Sequence, residues 1–276
     1  MQEIASVTKG PVGAAAMIVE TGEPVSINGG DHFPMQSVYK LPIAMAVLSR
    51  IDNKTLTFDQ KVRVDPKDFV SRREFSIATK YPNGADISIR ELLDYMISES
   101  DGTACDALMR MLGGPEVVTK YLRDLGVQDV VLATYEQDMF KTPSVSFQNW
   151  STPEAMIQIL KLLQVGKVLS EERRDILLSL MIKSRPGPQR IKGLLPAGTT
   201  VAHKTGTSAT IKGVTTATND VGLITLPSGQ HLAIAVFVSN TTADQKTREA
   251  VIAKIARAAT DCWVEPSRAE LVRPQR

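Results

Sequence analysis

Phe33-Pro-Met-Gln-Ser-Val-Tyr-Lys40 runs directly into Leu41-Pro-Ile-Ala-Met-Ala-Val-Leu48, and this junction decides how the rest of the chain is read. Apolar residues recur at helical spacing from Val38 to Arg50. A helix beginning there puts Ser37 at its N-terminus and Lys40 one turn on, along the same face. A serine hydroxyl is a weak nucleophile unless a neighbouring base takes its proton, and an amine desolvated in a pocket can serve as that base. The helix N-terminus adds backbone N–H groups and a positive dipole end for developing negative charge. Ser6-Val-Thr-Lys9 has the same Ser-x-x-Lys spacing. It has no apolar helix after it and no partner motif at a sensible distance, so it is set aside.

Working outward, Ala14 to Asn28 holds two apolar runs separated by Glu-Thr-Gly-Glu, the punctuation of a hairpin. Near the other end, Val221 to Leu226 and His231 to Val238 flank Pro-Ser-Gly-Gln, a second hairpin, and Asp244 to Ala259 has helical spacing. Both ends of the chain therefore read as sheet plus helix. Between them Ile89–Met96, Thr103–Leu112, Pro115–Leu125, Pro153–Leu163 and Ser170–Ile182 read as helices, often with Pro or Ser at the start. Leu132 to Trp150 and Lys183 to Thr200 break that rhythm, and the first is long enough to suggest a functional loop. The polar stretch Glu265 to Arg276 reads as a loose tail.

With 276 residues, 43% of them hydrophobic, the chain can build one large core or two intimately packed ones. Lys plus Arg number 32 against 30 Asp plus Glu, a formal charge of +2, and no basic run is interleaved with aromatics, so a nucleic-acid partner is not expected. The longest apolar run, Leu41 to Leu48, is far short of the roughly eighteen residues a membrane helix needs. Met-Gln-Glu-Ile-Ala-Ser at the start has no basic or apolar region of an export signal. Cys105 and Cys262 fall in separate predicted helices, and a disulfide, which would bring their Cα atoms within about 7 Å, is not expected. Two cysteines and three histidines provide no metal-site spacing, so neither a metal nor another cofactor is expected.

Two further motifs carry chemistry. Ser100-Asp101-Gly102 lies at the seam between two helical runs, where a serine hydroxyl could relay a proton to a leaving nitrogen. Lys204-Thr205-Gly206-Thr207 enters the apolar strand pattern; its Lys and hydroxyls suit a carboxylate, and its Gly would let substrate backbone come close. Alone, the first is an N-cap and the second a strand start. Together with Ser37-x-x-Lys40, in this order, they match the motif set of class A β-lactamases and penicillin-binding proteins.

The chain resembles a class A serine β-lactamase from about Val12 to Cys262. Phe33 to Lys40, Phe147-Gln-Asn-Trp150, Gly193 to Gly198 and Ala202 to Thr207 resemble the PER and VEB extended-spectrum branch. The resemblance implies an α+β fold, an α/β sandwich plus an all-α subdomain, with an antiparallel sheet flanked by helices. Residues 1–36 and 183–276 would form the sheet-bearing part and 37–182 the helical part, with an omega-type loop near 132–150, in one structural unit. It implies hydrolysis of penicillins and cephalosporins by a periplasmic or secreted enzyme, with β-lactam antibiotics and serine β-lactamase inhibitors as ligands; nothing in the sequence suggests more than a monomer.

By the same resemblance Ser37 attacks the lactam carbonyl, with Lys40, or Glu136 through a water, as the base. Glu136, fourteen residues before Trp150, then activates the water that releases the acyl group. The backbone N–H groups of Ser37 and Thr207 hold the oxyanion, Ser100 protonates the ring nitrogen, and Lys204, Thr205 and Thr207 hold the substrate carboxylate and support Ser100. Arg190, fourteen residues before Lys204, is a second carboxylate anchor or a solvated loop arginine. Two positions depart from the pattern: Gly102 stands where an Asn is usual, and Phe140 stands where an Asn, or a His in the PER branch, is usual. An apolar ring cannot hydrogen-bond the deacylating water. The other readings are a penicillin-binding DD-peptidase or sensor domain that stays acylated, a serine-dependent glutaminase, and a non-catalytic structural protein with three chance motifs.

Overall fold

Val12–Ile18 (β1) has no polar side chain and is buried at every position, a pattern that requires cover on both faces of its sheet. The computed structural model, which describes residues 2–70, 76–166 and 168–264, supplies that cover. The remaining strands are Val25–Ile27 (β2), Phe33–Pro34 (β3), Lys61–Val64 (β4), Ala85–Ser88 (β5), Val130–Val131 (β6), Trp150–Ser151 (β7), Val201–Thr207 (β8), Thr210–Ile211 (β9), Val214–Thr225 (β10) and His231–Thr241 (β11). The helices are Gln2–Ser6 (α1), Lys40–Asp52 (α2), Ile77–Lys80 (α3), Ile89–Ser98 (α4), Gly102–Leu112 (α5), Pro115–Asp124 (α6), Glu136–Lys141 (α7), Pro153–Gln164 (α8), Glu171–Ile182 (α9) and Gln245–Val264 (α10).

The main sheet runs β2-β1-β11-β10-β8, with β9 paired to β10, and each pairing is antiparallel. Period-2 alternation sends successive residues to opposite faces. Ala15, Met17, Val221, Ala235 and Phe237 join one core with α2 and the helical middle of the chain, while Ala14, Ile18, Ile224, Ile234 and Val236 join a second core under α10. This is an α+β fold in which an antiparallel sheet from both chain ends is sandwiched by helices. α8 lies against β1 and β11, so the helical stretch and the sheet share one apolar interior.

Two short pairings steer the functional segments. β3 pairs with β7, Phe33 opposite Ser151 and Pro34 opposite Trp150, which ties the approach to Ser37 to the far end of the 132–150 loop. β6 pairs with β7 as well, closing the base of that loop. Cys105 is buried in α5 and Cys262 exposed in α10, both unpaired. The Glu265–Arg276 tail lies outside the described residues.

Candidate active site

Ser37 lies in a 3₁₀ turn, Gln36–Tyr39, that feeds α2. The ammonium of Lys40, at the first position of α2, donates to Ser37 Oγ at 2.7 Å and to the Ser100 carbonyl at 3.2 Å. It also forms an ion pair with Glu136 Oε1. The Ser37 hydroxyl lies 3.3 Å from the same carboxylate oxygen, to which it donates. Lys40 is fully buried and the Glu136 side chain is 15% exposed, so the pair is shielded from bulk water where Coulombic attraction is strong. Both candidate bases thus reach one hydroxyl.

Ser100 is held between two lysines, its carbonyl on Lys40 and its Oγ accepting from Lys204 Nζ at 2.9 Å. Its φ of +58° is a left-handed conformation uncommon for a non-glycine residue. Asp101 fixes the segment: one carboxylate oxygen caps α5 at the Ala104 N–H (2.9 Å) and the other accepts from the Ile77 N–H (3.0 Å). Lys204 is fully buried. Burial, with the nearby Lys40 charge, holds its amine well below the ordinary lysine range.

Glu136 enters from the 132–150 loop as the first residue of α7. Asp106 on α5 accepts from the Glu136 N–H at 2.8 Å and the Gln137 N–H at 2.9 Å, one bond to each oxygen. Burial pushes the Asp106 carboxyl up to about 7, opposed by those two backbone bonds and reinforced by the Glu136 charge. At the base of the loop, buried Asn149 accepts from the Ala133 and Thr134 N–H groups at 2.8 and 3.0 Å and donates to the Thr134 carbonyl at 3.0 Å. Neither residue is among the sequence candidates. A carboxylate inside the apolar run Ala104-Cys-Asp-Ala-Leu-Met109 was the visible sign of the first.

Arg190 is 3% exposed, so the solvated-loop alternative does not describe it. Its Nη1 donates to the Gly206 and Asn219 carbonyls (3.2 and 2.9 Å), its Nη2 to Thr207 Oγ1 (2.7 Å) and its Nε to Glu249 (3.2 Å). Because the Thr207 hydroxyl accepts from the guanidinium, its own proton is free to point elsewhere. Thr207 is exposed at the strand end, whereas Thr205 is buried with its methyl against the Gly187 turn.

The glycines of both motifs are explained by neighbours within the chain. A Cβ on Gly206 would stand 2.3 Å from the Met35 carbonyl oxygen, so the close approach it permits here is by the segment that leads to Ser37. Asn219, opposite Gly206 in the ladder, donates from its side-chain amide to the Pro34 and Met35 carbonyls at 2.8 and 3.1 Å. A Cβ on Gly102 would meet Val70 Cγ1 at 3.0 Å; Val70 occupies the room beside it. Phe140 is 66% exposed and stands largely in solvent.

Residues 1–263 match the model of the β-lactamase enzyme family. VEB-1 of Pseudomonas aeruginosa is 40% identical over 248 residues, covering 89% of this chain and 83% of that one. PER-1, an extended-spectrum β-lactamase of the same organism, is 39% identical over 252 residues, covering 91% and 82%. Among solved structures, a β-lactamase from Chitinophaga pinensis superposes with a TM-score of 0.91 at 44% identity, covering 95% of this chain and 97% of that one. A class A representative from Bacteroides cellulosilyticus gives 0.88 at 33% identity, covering 95% and 96%. A hydroxyl shared by a buried lysine and a loop carboxylate, on a fold superposable on these enzymes, places the chain in the β-lactamase enzyme family, as a class A serine β-lactamase similar to the VEB and PER enzymes.

Proposed function

We propose that the enzyme hydrolyses penicillins and cephalosporins through an acyl-serine intermediate on Ser37, and so protects its host from β-lactam antibiotics. The observation that carries this is the single Ser37 hydroxyl within 2.7 Å of Lys40 Nζ and 3.3 Å of Glu136 Oε1. A base within hydrogen-bond reach of the proton it takes is the first requirement of nucleophilic catalysis.

In the acylation step the Ser37 proton passes to the Glu136 carboxylate while Oγ bonds to the lactam carbonyl carbon. Lys40, bound to both oxygens, steadies the charge that moves between them. The backbone N–H groups of Ser37 and Thr207 receive the oxyanion. As the C–N bond breaks, the Ser100 hydroxyl gives its proton to the ring nitrogen while Lys204 Nζ holds the Ser100 oxygen by a hydrogen bond, and the proton taken up by Glu136 returns to that oxygen through Lys40, leaving Glu136 ionised again before deacylation. The substrate carboxylate rests on the Thr207 hydroxyl, aimed by Arg190, with Lys204 behind it. In deacylation Glu136 takes a proton from a water that attacks the ester carbonyl, and Ser37 departs with a proton restored to its oxygen.

Gly102 brings no side-chain amide to this site and Phe140 no hydrogen-bonding group, so positioning of the water falls to Glu136. Burst kinetics with a chromogenic cephalosporin test the reading: a burst followed by sustained turnover is expected. A stoichiometric burst with no steady state would make the protein an acylated binder, as a penicillin-binding DD-peptidase or sensor is. Serine β-lactamase inhibitors would form their adducts on the same hydroxyl. We place the enzyme in the periplasm or outside the cell, as a monomer; no helix among the described residues is long and apolar enough to cross a membrane.

A further inference from the structure

Asn219 touches none of the groups assigned a chemical step, yet its side chain is 1% exposed and lies directly beneath the nucleophile turn. Its amide nitrogen donates to two successive carbonyls, those of Pro34 and Met35. Its Oδ1 is buried and has no hydrogen-bond partner among the described residues. A buried acceptor left without a partner is costly, and where one is retained it calls for an explanation. Turning the amide over would remove both donated bonds, so the present orientation favours the nucleophile turn at the expense of the oxygen.

The next residue along that turn, Gln36, has a φ of +48°, a left-handed conformation that surrounding contacts must hold in place. The peptide unit after Gln36 carries the Ser37 N–H. Fixing the carbonyls of residues 34 and 35 therefore fixes the frame from which this N–H is aimed. On the other side, Gly206 faces Asn219 in the ladder and receives the Met35 carbonyl in the space a Cβ would fill. Arg190 Nη1 then bonds the backbone carbonyls of both Gly206 and Asn219. Thr207, whose N–H is the other oxyanion donor of the proposed mechanism, follows Gly206 immediately.

We propose that Asn219 is a positioning residue for the oxyanion pocket: its amide locks the nucleophile turn onto the strand pair that carries Thr207, and so sets the distance and direction between the two oxyanion donors. The inference rests on the acyl-serine reading above. Donors that must point at the place where charge develops lose most of their effect when displaced by a fraction of an ångström.

The test compares the wild-type enzyme with Asn219→Ala and Asn219→Asp, using phenylboronic acid as a tetrahedral adduct of Ser37 that needs no deacylation. Asn219→Ala is expected to lower the acylation rate of a chromogenic cephalosporin and the affinity for phenylboronic acid in parallel, each by about 10- to 100-fold, with KM-type ground-state binding little changed. Folded protein with both quantities unchanged, or a slower acylation with full boronate affinity, would overturn the proposal. Should Asn219→Ala fail to fold, Asn219→Asp decides: a carboxyl facing two carbonyls donates one bond when protonated and none when ionised. Its activity should then fall as pH rises across a range where the wild type is flat, and a profile parallel to the wild type would overturn the proposal equally. Absence of any boronate adduct on Ser37 in the wild type itself would instead defeat the acyl-serine reading on which it rests.

Discussion

The two ends of the Ser37 hydroxyl's hydrogen-bond system are held by opposite kinds of structure. Ser37 lies in the 3₁₀ turn that feeds α2 and Lys40 at the first position of α2, and every residue from Lys40 to Leu48 is buried, so their placement follows from the close packing of the main apolar core. Glu136 belongs to a six-residue helix in which only Met139 is buried. Its placement follows from polar tethers: the Asp106 carboxylate on two backbone N–H groups, and Asn149 across the neck of the loop. Ser37, the proposed nucleophile, is thus protected by bulk packing, while Glu136, the carboxylate proposed to free it, depends on a few directed bonds, each worth about 1 kcal/mol net but costly when one partner is lost.

The largest effect that separates these halves comes from Glu136→Gln. Gln keeps the shape of the side chain and accepts no proton, so release of the acyl group should slow by about 10²- to 10⁴-fold, while acylation keeps Lys40, freed of its ion pair and 2.7 Å from Ser37 Oγ, as a base. Intact-protein mass spectrometry after mixing with penicillin should show a persistent adduct on Ser37; an unchanged turnover rate would remove Glu136 from the release step.

An intermediate effect is expected for Asp106→Asn, which leaves one of the two loop N–H groups facing an amide NH₂. Deacylation should slow about tenfold through looser placement of Glu136, with acylation less affected. The substitution also has a pH signature. The folded protein binds the Asp106 proton with a pKa of about 7, against about 3.9 for an unfolded aspartate. Between those values the folded state holds more protons than the unfolded one, so the stability Asp106 contributes is complete below about pH 4 and is lost as pH rises toward 7. Urea unfolding of both proteins across that window should show the difference in stability shifting toward the Asn variant by an amount on the order of a few kcal/mol. Parallel curves would mean that Asp106 titrates alike in both states.

The smallest effect is expected for Phe140→Asn. The ring is largely in solvent, so its loss should not unfold the loop. An amide on that turn offers the water a second polar partner and should raise steady-state turnover a few-fold, on the order of one ordinary hydrogen bond. Unchanged turnover would place position 140 out of reach of the water.

How much of this was legible in the sequence follows the same division. Ser37, Lys40, Ser100 and Lys204 sit in short motifs whose spacing is local, and local spacing survives in a string of letters. The hairpins and most helices were visible because apolar periodicity is local as well. β10 begins at Val214 and not at Val221 because Thr215, Thr218, Asn219 and Asp220 are polar yet buried, a combination that hides a strand from any apolar pattern. Asp106, Asn149 and Asn219 act on backbone 30, 16 and 185 residues away, and no periodicity encodes a contact of that reach. Arg190 shows the intermediate case: its distance from Lys204 along the chain was readable, while its position beneath β8, with Thr207 as its outlet, depended on the tertiary structure.

Val70 beside Gly102 has a consequence for how this enzyme can change over generations. Any side chain at position 102 meets Val70 before its functional group is accommodated, and the valine must yield by a few tenths of an ångström. An asparagine there would accordingly be poorly tolerated on its own and better tolerated once position 70 carries something smaller. The two sites are coupled in the path they open to selection: a substitution at position 102 meets resistance that a prior change to a smaller residue at position 70 would lift, so the order in which mutations arrive matters as much as their identity.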